Sequence, residues 1–161
     1  MTEQREKVTL ILFSGEMDKA LACFNLAVAA ASMNMEVTIF FTFWGLNAIK
    51  KNEGSIKSKG VMRKMLNFMN RGGAKRLPLS KLHMFGLGKW MMKKLMKKSK
   101  FPSVDELIAL AKSMGVKFIA CTTTMGMMGI SKDAFIPEVD SFAGAATYLT
   151  EASEGKVNLF I

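Results

Sequence analysis

Two nearly continuous apolar segments, separated by an alanine-rich stretch, constrain the fold of this chain more than any other feature. Residues 8–13 (VTLILF) and 36–41 (EVTIFF) have the composition of strands that are buried on both faces. Between them, residues 18–33 are rich in helix-forming alanine and leucine. A strand, a helix and a strand within this length form a βαβ unit, in which the strands are parallel and the crossover is right-handed. The sequence therefore predicts an α/β protein.

The rest of the chain continues this alternation. Asp18 is the expected N-cap of the first helix, because its carboxylate can accept from free backbone N–H groups. Ser103 and Glu106 have the spacing of a capping box, and the helix that they begin should end at Met114, before Gly115. The other predicted elements are a turn over 52–55, a helix over 61–70, a helical turn over 131–135, a helix over 141–152, and strands over 116–120 and 156–161.

These elements predict one α/β domain over residues 1–161. We expect a three-layer sandwich around a mostly parallel sheet of four or five strands, with an insertion at about 79–100. No internal repeat or linker divides the chain, and its length suits a single core that buries roughly 70% of the unfolded surface.

The composition argues against a membrane-spanning, secreted or metal-binding protein. No segment has about 18 uninterrupted apolar residues, and residues 1–7 carry charges of both signs rather than a secretory signal. The two cysteines, Cys23 and Cys121, and the single histidine, His83, predict neither a disulfide framework nor a metal site. No glycine-rich nucleotide fingerprint follows a strand, so no cofactor is expected. We expect a cytoplasmic protein with free thiols.

Cys121 is the strongest candidate for a reactive residue. It ends an apolar segment and precedes small, hydroxylated and glycine residues, which predicts a strand that opens into a loop. In α/β sheets, ligands bind at this end of the strands. A thiolate there would be stabilised by hydroxyl donors and by backbone that approaches closely; the residues that offer this are Thr122, Thr123, Thr124, Gly126 and Gly129.

Sulfur transfer suits such a site, because it requires a low-pKa thiol and no general base. The structural alternative is a small residue that fills the end of a strand. Cys23 shares a helix face with Leu26, Ala27 and Ala30, so we expect it in the core. His83 lies among apolar residues and is expected to be structural or exposed rather than catalytic.

The insertion contains a basic amphipathic helix over residues 87–98. Apolar side chains gather on one side of the helical wheel and lysines on the other, with Trp90 and Lys98 as exceptions. Three interpretations remain open: a helix that covers its own core, an oligomer contact, and docking to an anionic membrane or an acidic protein. Nucleic-acid binding has less support, since no recognition motif accompanies the charge. The candidate docking residues are Lys89, Trp90, Lys93, Lys94 and Lys97.

Three stretches, Ser14–Ala20, Phe40–Asn47 and Ala120–Ile130, resemble the DsrE/DsrF-like family of small sulfurtransferases, in particular its DsrE-type branch with a methionine- and lysine-rich insertion. The similarity extends over almost the whole chain. It implies a flavodoxin-like fold, homo-oligomers, and one cysteine, matched here by Cys121, that carries persulfide sulfur between rhodanese-like donors and small thiol carriers. Some relatives have a second cysteine near the C-terminus, but residues 152–161 contain none.

The leading hypothesis is a cytoplasmic sulfur carrier or sulfurtransferase with Cys121 as the persulfide-bearing nucleophile. The alternative is a non-catalytic interaction module, peripheral to the inner face of the membrane or bound to an acidic partner through residues 87–98. A peroxide-sensing thiol is a third hypothesis, although no second cysteine is placed to resolve a sulfenic acid. In the leading hypothesis, Thr122, Thr123 and Gly126 stabilise the anion, and Gly15, Phe43 and Trp44 shape the mouth of the pocket.

Overall fold

Five parallel strands form the centre of the molecule in this computed structural model, which describes residues 5–51 and 59–161. Their order is β4-β3-β2-β1-β5, and every neighbouring pair is parallel. The predicted sheet of four or five mostly parallel strands is confirmed. The strands are β1 (Lys7–Leu12), β2 (Glu36–Phe41), β3 (Lys117–Cys121), β4 (Ser141–Ala143) and β5 (Gly155–Phe160).

Helices cover both faces of the sheet, as the predicted three-layer sandwich requires. The first, fourth and fifth helices contribute to the larger core on one face, and the sixth packs against the other face. The capping box of the fourth helix is confirmed: the Glu106 N–H donates to Ser103 Oγ at 3.3 Å, and the Ser103 N–H donates to the Glu106 carboxylate at 2.7 Å. The helices are α1 (Met17–Ser32), α2 (Val61–Met69), α3 (Leu87–Lys98), α4 (Val104–Ser113), α5 (Thr122–Met128) and α6 (Ala145–Ser153).

The two faces of the sheet bury different amounts of apolar surface. On the larger side, the rings of Phe24, Phe41 and Phe118 lie 5.3–6.0 Å apart and are fully buried. On the other side, a smaller cluster forms where Phe40 lies 5.2 Å from the ring of Tyr148 on α6. Because side chains alternate along a strand, Phe40 and Phe41 serve opposite cores, as expected for a strand buried on both faces.

Two predicted features are wrong. Asp18 does not cap α1; its carboxylate instead accepts from the backbone N–H and the hydroxyl of Ser80, which tether the start of the insertion. The N-cap position belongs to Glu16, without a side-chain hydrogen bond. The helix predicted over 141–152 begins only at Ala145, because its first residues form β4 beside β3. The turn predicted over 52–55 lies outside the described residues.

A buried amide network fixes the chain that leaves β2. A 3₁₀ helix, Phe43–Ile49, follows this strand and contributes Asn47, whose side chain exchanges hydrogen bonds with Asn70 after α2. The Lys50 ammonium donates to Asn47 Oδ1 at 2.8 Å, and burial lowers the pKa of Lys50 to about 8. The network therefore joins the end of α2 to the edge of the sheet.

Gly45 allows the 3₁₀ helix to lie directly against the end of β1. A Cβ at this position would stand 1.9 Å from the carbonyl oxygen of Leu12, a backbone atom that cannot yield easily. We predict that Gly45→Ala lowers the free energy of unfolding by about 2–3 kcal/mol, measured by urea denaturation, because the overpacked turn must move.

Gly126→Ala is the matched control. Gly126 lies within α5, and no heavy atom stands within 4 Å of the position of its Cβ. Alanine there should leave stability unchanged or raise it by up to about 1 kcal/mol, because alanine is the better helix former. Equal effects of the two substitutions would contradict the close approach at Gly45.

Candidate functional site

Cys121 lies at the edge of the sheet where β1, β2 and β3 all end. The strands are parallel, so their carboxyl ends share one edge. The register pairs Phe41 with Ala120, which makes Thr42 and Cys121 the next pair along the two strands. Since side chains alternate, both residues point to the face opposite Phe41. The register therefore brings a hydroxyl beside the thiol.

Cys121 is both the last residue of β3 and the N-cap of α5. The predicted loop after Cys121 is absent, because Thr122–Met128 is helical and ends at Gly129 in the left-handed conformation (φ 67°). Cys121 is only 5% exposed and packs with the smaller apolar cluster of Phe40, Ile119 and Tyr148. The thiol is thus held at a strand–helix junction instead of within a mobile segment.

Two threonine hydroxyls lie beside the Cys121 sulfur and bond to each other. Thr42 Oγ1 and Thr124 Oγ1 are 3.0 Å apart, and the Phe43 N–H donates to Thr124 Oγ1 at 3.4 Å. Each hydroxyl has one proton to give. Either hydroxyl can donate to the other, and the hydroxyl whose proton stays free donates it to the sulfur.

Hydrogen bonds hold the pKa of the Cys121 thiol below its ordinary value. Burial alone raises this pKa, but donation from the Thr124 amide and hydroxyl, the Thr42 hydroxyl and the Thr123 amide outweighs burial. The amides belong to the first turn of α5, where backbone N–H groups have no partner within the helix. These hydrogen bonds therefore increase the fraction of thiolate, which is the nucleophilic form of cysteine.

The three residues predicted to stabilise the anion, Thr122, Thr123 and Gly126, have different surroundings in the structure. Thr123 contributes its backbone amide to the sulfur. Thr122 is exposed, and its Oγ1 lies 3.9 Å from the position that a Cβ on Gly144 would take. Gly126 is exposed and has no close neighbour at its Cβ position, so no close backbone approach requires glycine there. Of these three described residues, Thr123 is the one whose hydrogen bond lowers the pKa of Cys121.

Gly15, Phe43 and Trp44 lie at the same edge of the sheet, and their role at the mouth of a pocket stays a prediction. A Cβ on Gly15 would stand 2.8 Å from the Trp44 carbonyl oxygen, so glycine permits the two loops to touch. Phe43 adopts a left-handed backbone (φ 46°), and its ring lies 5.1 Å from Phe13. Phe13 in turn contacts Phe160 of β5 at 5.6 Å. These rings form a partly exposed aromatic surface at the edge of the sheet where β3 also ends.

Thr42 and Thr124 are the functional residues that the sequence analysis did not single out. Thr124 was one of several hydroxyl donors, and Thr42 had no assigned role. The positions of the two threonines could have indicated that they lie near the thiol. Thr42 directly follows β2, and Thr124 is the third residue after the cysteine that ends β3. Pairing adjacent strands would have placed both hydroxyls beside Cys121.

The remaining cysteine and histidine have no part in this site. Cys23 is fully buried in α1, as predicted, and burial raises the pKa of its thiol to about 12. His83 is exposed, and its Nδ1 accepts from the Leu79 N–H at 3.4 Å. Within residues 5–51 and 59–161, no group of three His, Cys, Asp or Glu residues could hold a metal ion.

The basic segment of the insertion forms helix α3, which has no buried residue. Lys89 and Lys93 donate to the Lys75 carbonyl oxygen, and Trp90 lies exposed with the Lys94 ammonium 5.1 Å from its ring centre. Lys97 is exposed at the end of the helix. Only Met96 packs partly against the core. Most apolar side chains of α3 therefore stay exposed, and little of this helix covers the core.

Comparisons with known proteins agree with this architecture. Residues 4–160 match the model of the DsrE/DsrF/DrsH-like family. The chain is 45% identical over 161 residues to the uncharacterized protein YrkE of Bacillus subtilis, with 100% of each chain covered. It is 33% identical over 165 residues to the sulfur carrier protein DsrE2 of Allochromatium vinosum, covering 98% of this chain and 99% of that protein.

Two solved structures share the fold at low sequence identity. The YchN protein of E. coli superposes with a TM-score of 0.58 at 10% identity, covering 98% of this chain and 100% of that one. MTH1491 of Methanobacterium thermoautotrophicum, a protein of unknown function, gives 0.52 at 11% identity, with 97% and 99% covered. These similarities concern the fold alone.

Across the part of the chain that is described, no helix has the length and the apolar composition of a membrane span.

The role of the Thr124 hydroxyl can be tested by titrating the thiol. We predict that Thr124→Val raises the pKa of Cys121, because a donor to the thiolate is lost while burial remains. The thiolate fraction at neutral pH should fall, and the pH midpoint of alkylation should move upward. Peptide mass spectrometry after timed iodoacetamide pulses from about pH 6 to about pH 10 separates Cys121 from Cys23.

Thr122→Val supplies the matched control, since Thr122 is exposed and its Oγ1 lies near Gly144. Its alkylation midpoint should equal that of the unmodified chain. If Thr124→Val left the midpoint in place, or if both variants moved it equally, the threonine hydrogen bonds would not govern the thiol.

Proposed function

The chain belongs to the DsrE/DsrF/DrsH-like family, and from that premise we propose that it is a sulfur carrier that holds sulfane sulfur as a persulfide on Cys121. The resemblance seen in the sequence is thereby confirmed at the level of the family. The observation that carries the proposal is the Cys121 sulfur at a strand end, with a lowered pKa that results from hydrogen bonds with Thr124, Thr42 and Thr123.

The family supports a role in sulfur relay. A 33% identical relative over 98% of this chain is a sulfur carrier protein, and the two chains align over almost their full lengths. The persulfide mechanism is our inference from the chemistry of the site. It requires a nucleophilic sulfur, a place for the incoming sulfur atom and access for a partner, and it requires neither metal nor cofactor.

Loading is a thiol exchange at a sulfane sulfur. The Cys121 thiolate attacks the outer sulfur of a donor persulfide, R–S–SH. A new sulfur–sulfur bond forms on Cys121 as the donor's sulfur–sulfur bond breaks, and the donor leaves as the thiolate R–S⁻. No oxidant is consumed, because the sulfane sulfur keeps its oxidation state. Unloading is the same exchange with an acceptor thiolate and Cys121 as the leaving group.

The threonine hydrogen bonds assist both directions. On loading they maintain the nucleophilic thiolate, and on unloading they stabilise the Cys121 thiolate as it departs, since a low-pKa thiol is the better leaving group. The low exposure of Cys121 limits attack by small thiols from solvent. A partner that binds the aromatic surface of Phe43, Trp44 and Phe160 would lie at the same edge of the sheet as Cys121, and exchange then requires the buried sulfur to become accessible to it.

Cys121 has to exchange with thiols of other molecules. The chain contains two cysteines, and Cys23 is fully buried with a pKa raised to about 12. A thiol of that kind is both inaccessible and protonated. We therefore propose sulfur-donor and sulfur-acceptor proteins as partners, of the rhodanese-like and small thiol-carrier types, in a reducing compartment.

We also propose a homo-oligomer. The outer edge of β5 pairs with no strand among the described residues, and Val157, Leu159 and Phe160 on it are exposed. An apolar strand with free backbone groups at a sheet edge is prone to pair with another chain. A monomeric mass in light scattering across micromolar concentrations would contradict this proposal.

The alternative, a non-catalytic interaction module, finds support in the exposed insertion. The exposure of α3 does not compete with the chemistry at Cys121, because the two regions can act together. A carrier that docks to a surface and a surface-bound module without chemistry are distinguished by whether Cys121 takes up sulfur.

Persulfide loading provides the test. Reduced protein is incubated with polysulfide, or with thiosulfate and a rhodanese, and intact and peptide masses are then measured. We predict one or more added sulfur atoms on Cys121, removal by reductant, and transfer to an acceptor thiol protein. Cys121→Ser should abolish both loading and transfer, because an alcohol cannot form the persulfide.

Cys23→Ala should load as well as the unmodified chain, because the Cys23 thiol is enclosed in the core. Sulfur transfer that survives Cys121→Ser would contradict the proposal. So would sulfur distributed equally over both cysteines of the folded protein.

A further inference from the structure

Helix α2 packs on the protein through Leu66 and Asn67 and turns most of its apolar side chains toward solvent. Asn67 is buried and donates to the Met128 carbonyl oxygen at 3.1 Å, and the Arg63 side chain lies over Gly129. The apolar residues on the outer side are 60–84% exposed: Val61, Met62, Met65, Phe68 and Met69. An amphipathic helix normally buries its apolar stripe, so this orientation indicates a second surface that covers it.

Helix α3 shows the same excess of exposed apolar surface. Cavities of about 690 and 420 Å³ lie on either side of its contact with the body, and Met96 lines both. The segment that precedes the helix also exposes its apolar side chains. The residues left exposed are Leu82, Met84, Phe85, Leu87, Trp90, Met91, Met92 and Leu95.

The charge of this region has one sign. From Lys59 to Lys100 the sequence contains 13 lysines and arginines and no aspartate or glutamate. None of these cations takes part in the ion pairs found among the described residues. The same segment therefore presents both the exposed apolar side chains and all of the excess positive charge of the chain, which is +10 overall.

Aromatic rings and cations are adjacent within this surface. The Arg71 guanidinium lies 4.5 Å from the ring centre of Phe68, and the Lys94 ammonium lies 5.1 Å from that of Trp90. Basic side chains beside aromatic and aliphatic ones are typical of helices that lie in a lipid interface. There, the rings enter the acyl boundary and the cations meet anionic headgroups.

We propose that the segment 59–100, through α2 and α3, docks this protein on an anionic phospholipid bilayer. The charge and polarity of this surface match those of an anionic bilayer. The negative headgroups can bind the cations, and the acyl boundary can take up the exposed apolar side chains. A symmetric contact with a second copy would set 13 cations against the same 13, which repel at close range.

Docking on lipid is a property separate from sulfur chemistry, so it is measured without a sulfur donor. The full-length protein is mixed with vesicles of phosphatidylcholine alone, or of equal parts phosphatidylcholine and phosphatidylglycerol, and floated on a density gradient. We expect flotation with the anionic vesicles only, and its loss at high salt, because headgroup attraction is screened.

The matched variants replace exposed apolar side chains by glutamate. Met65→Glu with Phe68→Glu on α2, and separately Trp90→Glu on α3, should lower the bound fraction by about tenfold. Met33→Glu is the control, because Met33 is 73% exposed at the end of α1 and lies outside the basic segment. Circular dichroism verifies that each variant is folded.

Two results would overturn the proposal. One is absence of the unmodified protein from anionic vesicles at low salt. The other is equal binding by Met33→Glu and by Met65→Glu with Phe68→Glu, which would show that the charge alone attracts the protein. If vesicles fail to bind while the α2 variant reduces the oligomer mass or abolishes capture of an acidic protein, a protein contact covers this surface instead.

Discussion

The parallel register between β2 and β3 is the constraint on which the chemistry of this protein depends. Pairing Phe41 with Ala120 places Thr42 opposite Cys121 and on the same face of the sheet. The helix that begins directly after Cys121 then adds the Thr124 hydroxyl and two amides. A slip of one residue would turn the cysteine to the other face, away from these donors. The lowered thiol pKa therefore depends on strand pairing and on the abrupt strand-to-helix junction together.

Helix α5 contacts both the Cys121 thiol and helix α2. Its first turn donates to the Cys121 sulfur, and the carbonyl oxygen of its last residue, Met128, accepts from Asn67 of α2. The proposed lipid-binding helix is thus attached to the element that shapes the thiol. Under this account, docking would hold the carrier at a surface while the aromatic edge of Phe43 and Trp44 meets donor and acceptor proteins.

Sequence patterns predicted the layers and most element bounds, because continuous apolar segments, alanine-rich stretches and the Ser103–Glu106 capping box act locally. They missed β4, whose three residues are strand only through pairing with β3. They also assigned anion stabilisation to Thr122, although the hydroxyls beside the thiol are those of Thr42 and Thr124. A contact between residues 82 positions apart follows from register, which a single sequence does not show. The exposure of most apolar side chains of α2 was equally unpredictable, because periodicity defines the apolar face of a helix but not whether another element covers it.

The most direct test of the account is the state of Cys121 inside cells. Cells that express the chain are quenched with an alkylating reagent, and peptides of the purified protein are weighed. The account predicts an extra sulfur atom on a substantial share of the Cys121 peptide and none on the Cys23 peptide. It also predicts a smaller share when Thr42 and Thr124 are both replaced by valine. A Cys121 peptide that is never heavier by sulfur, under growth conditions in which sulfane sulfur is present, would contradict persulfide carriage.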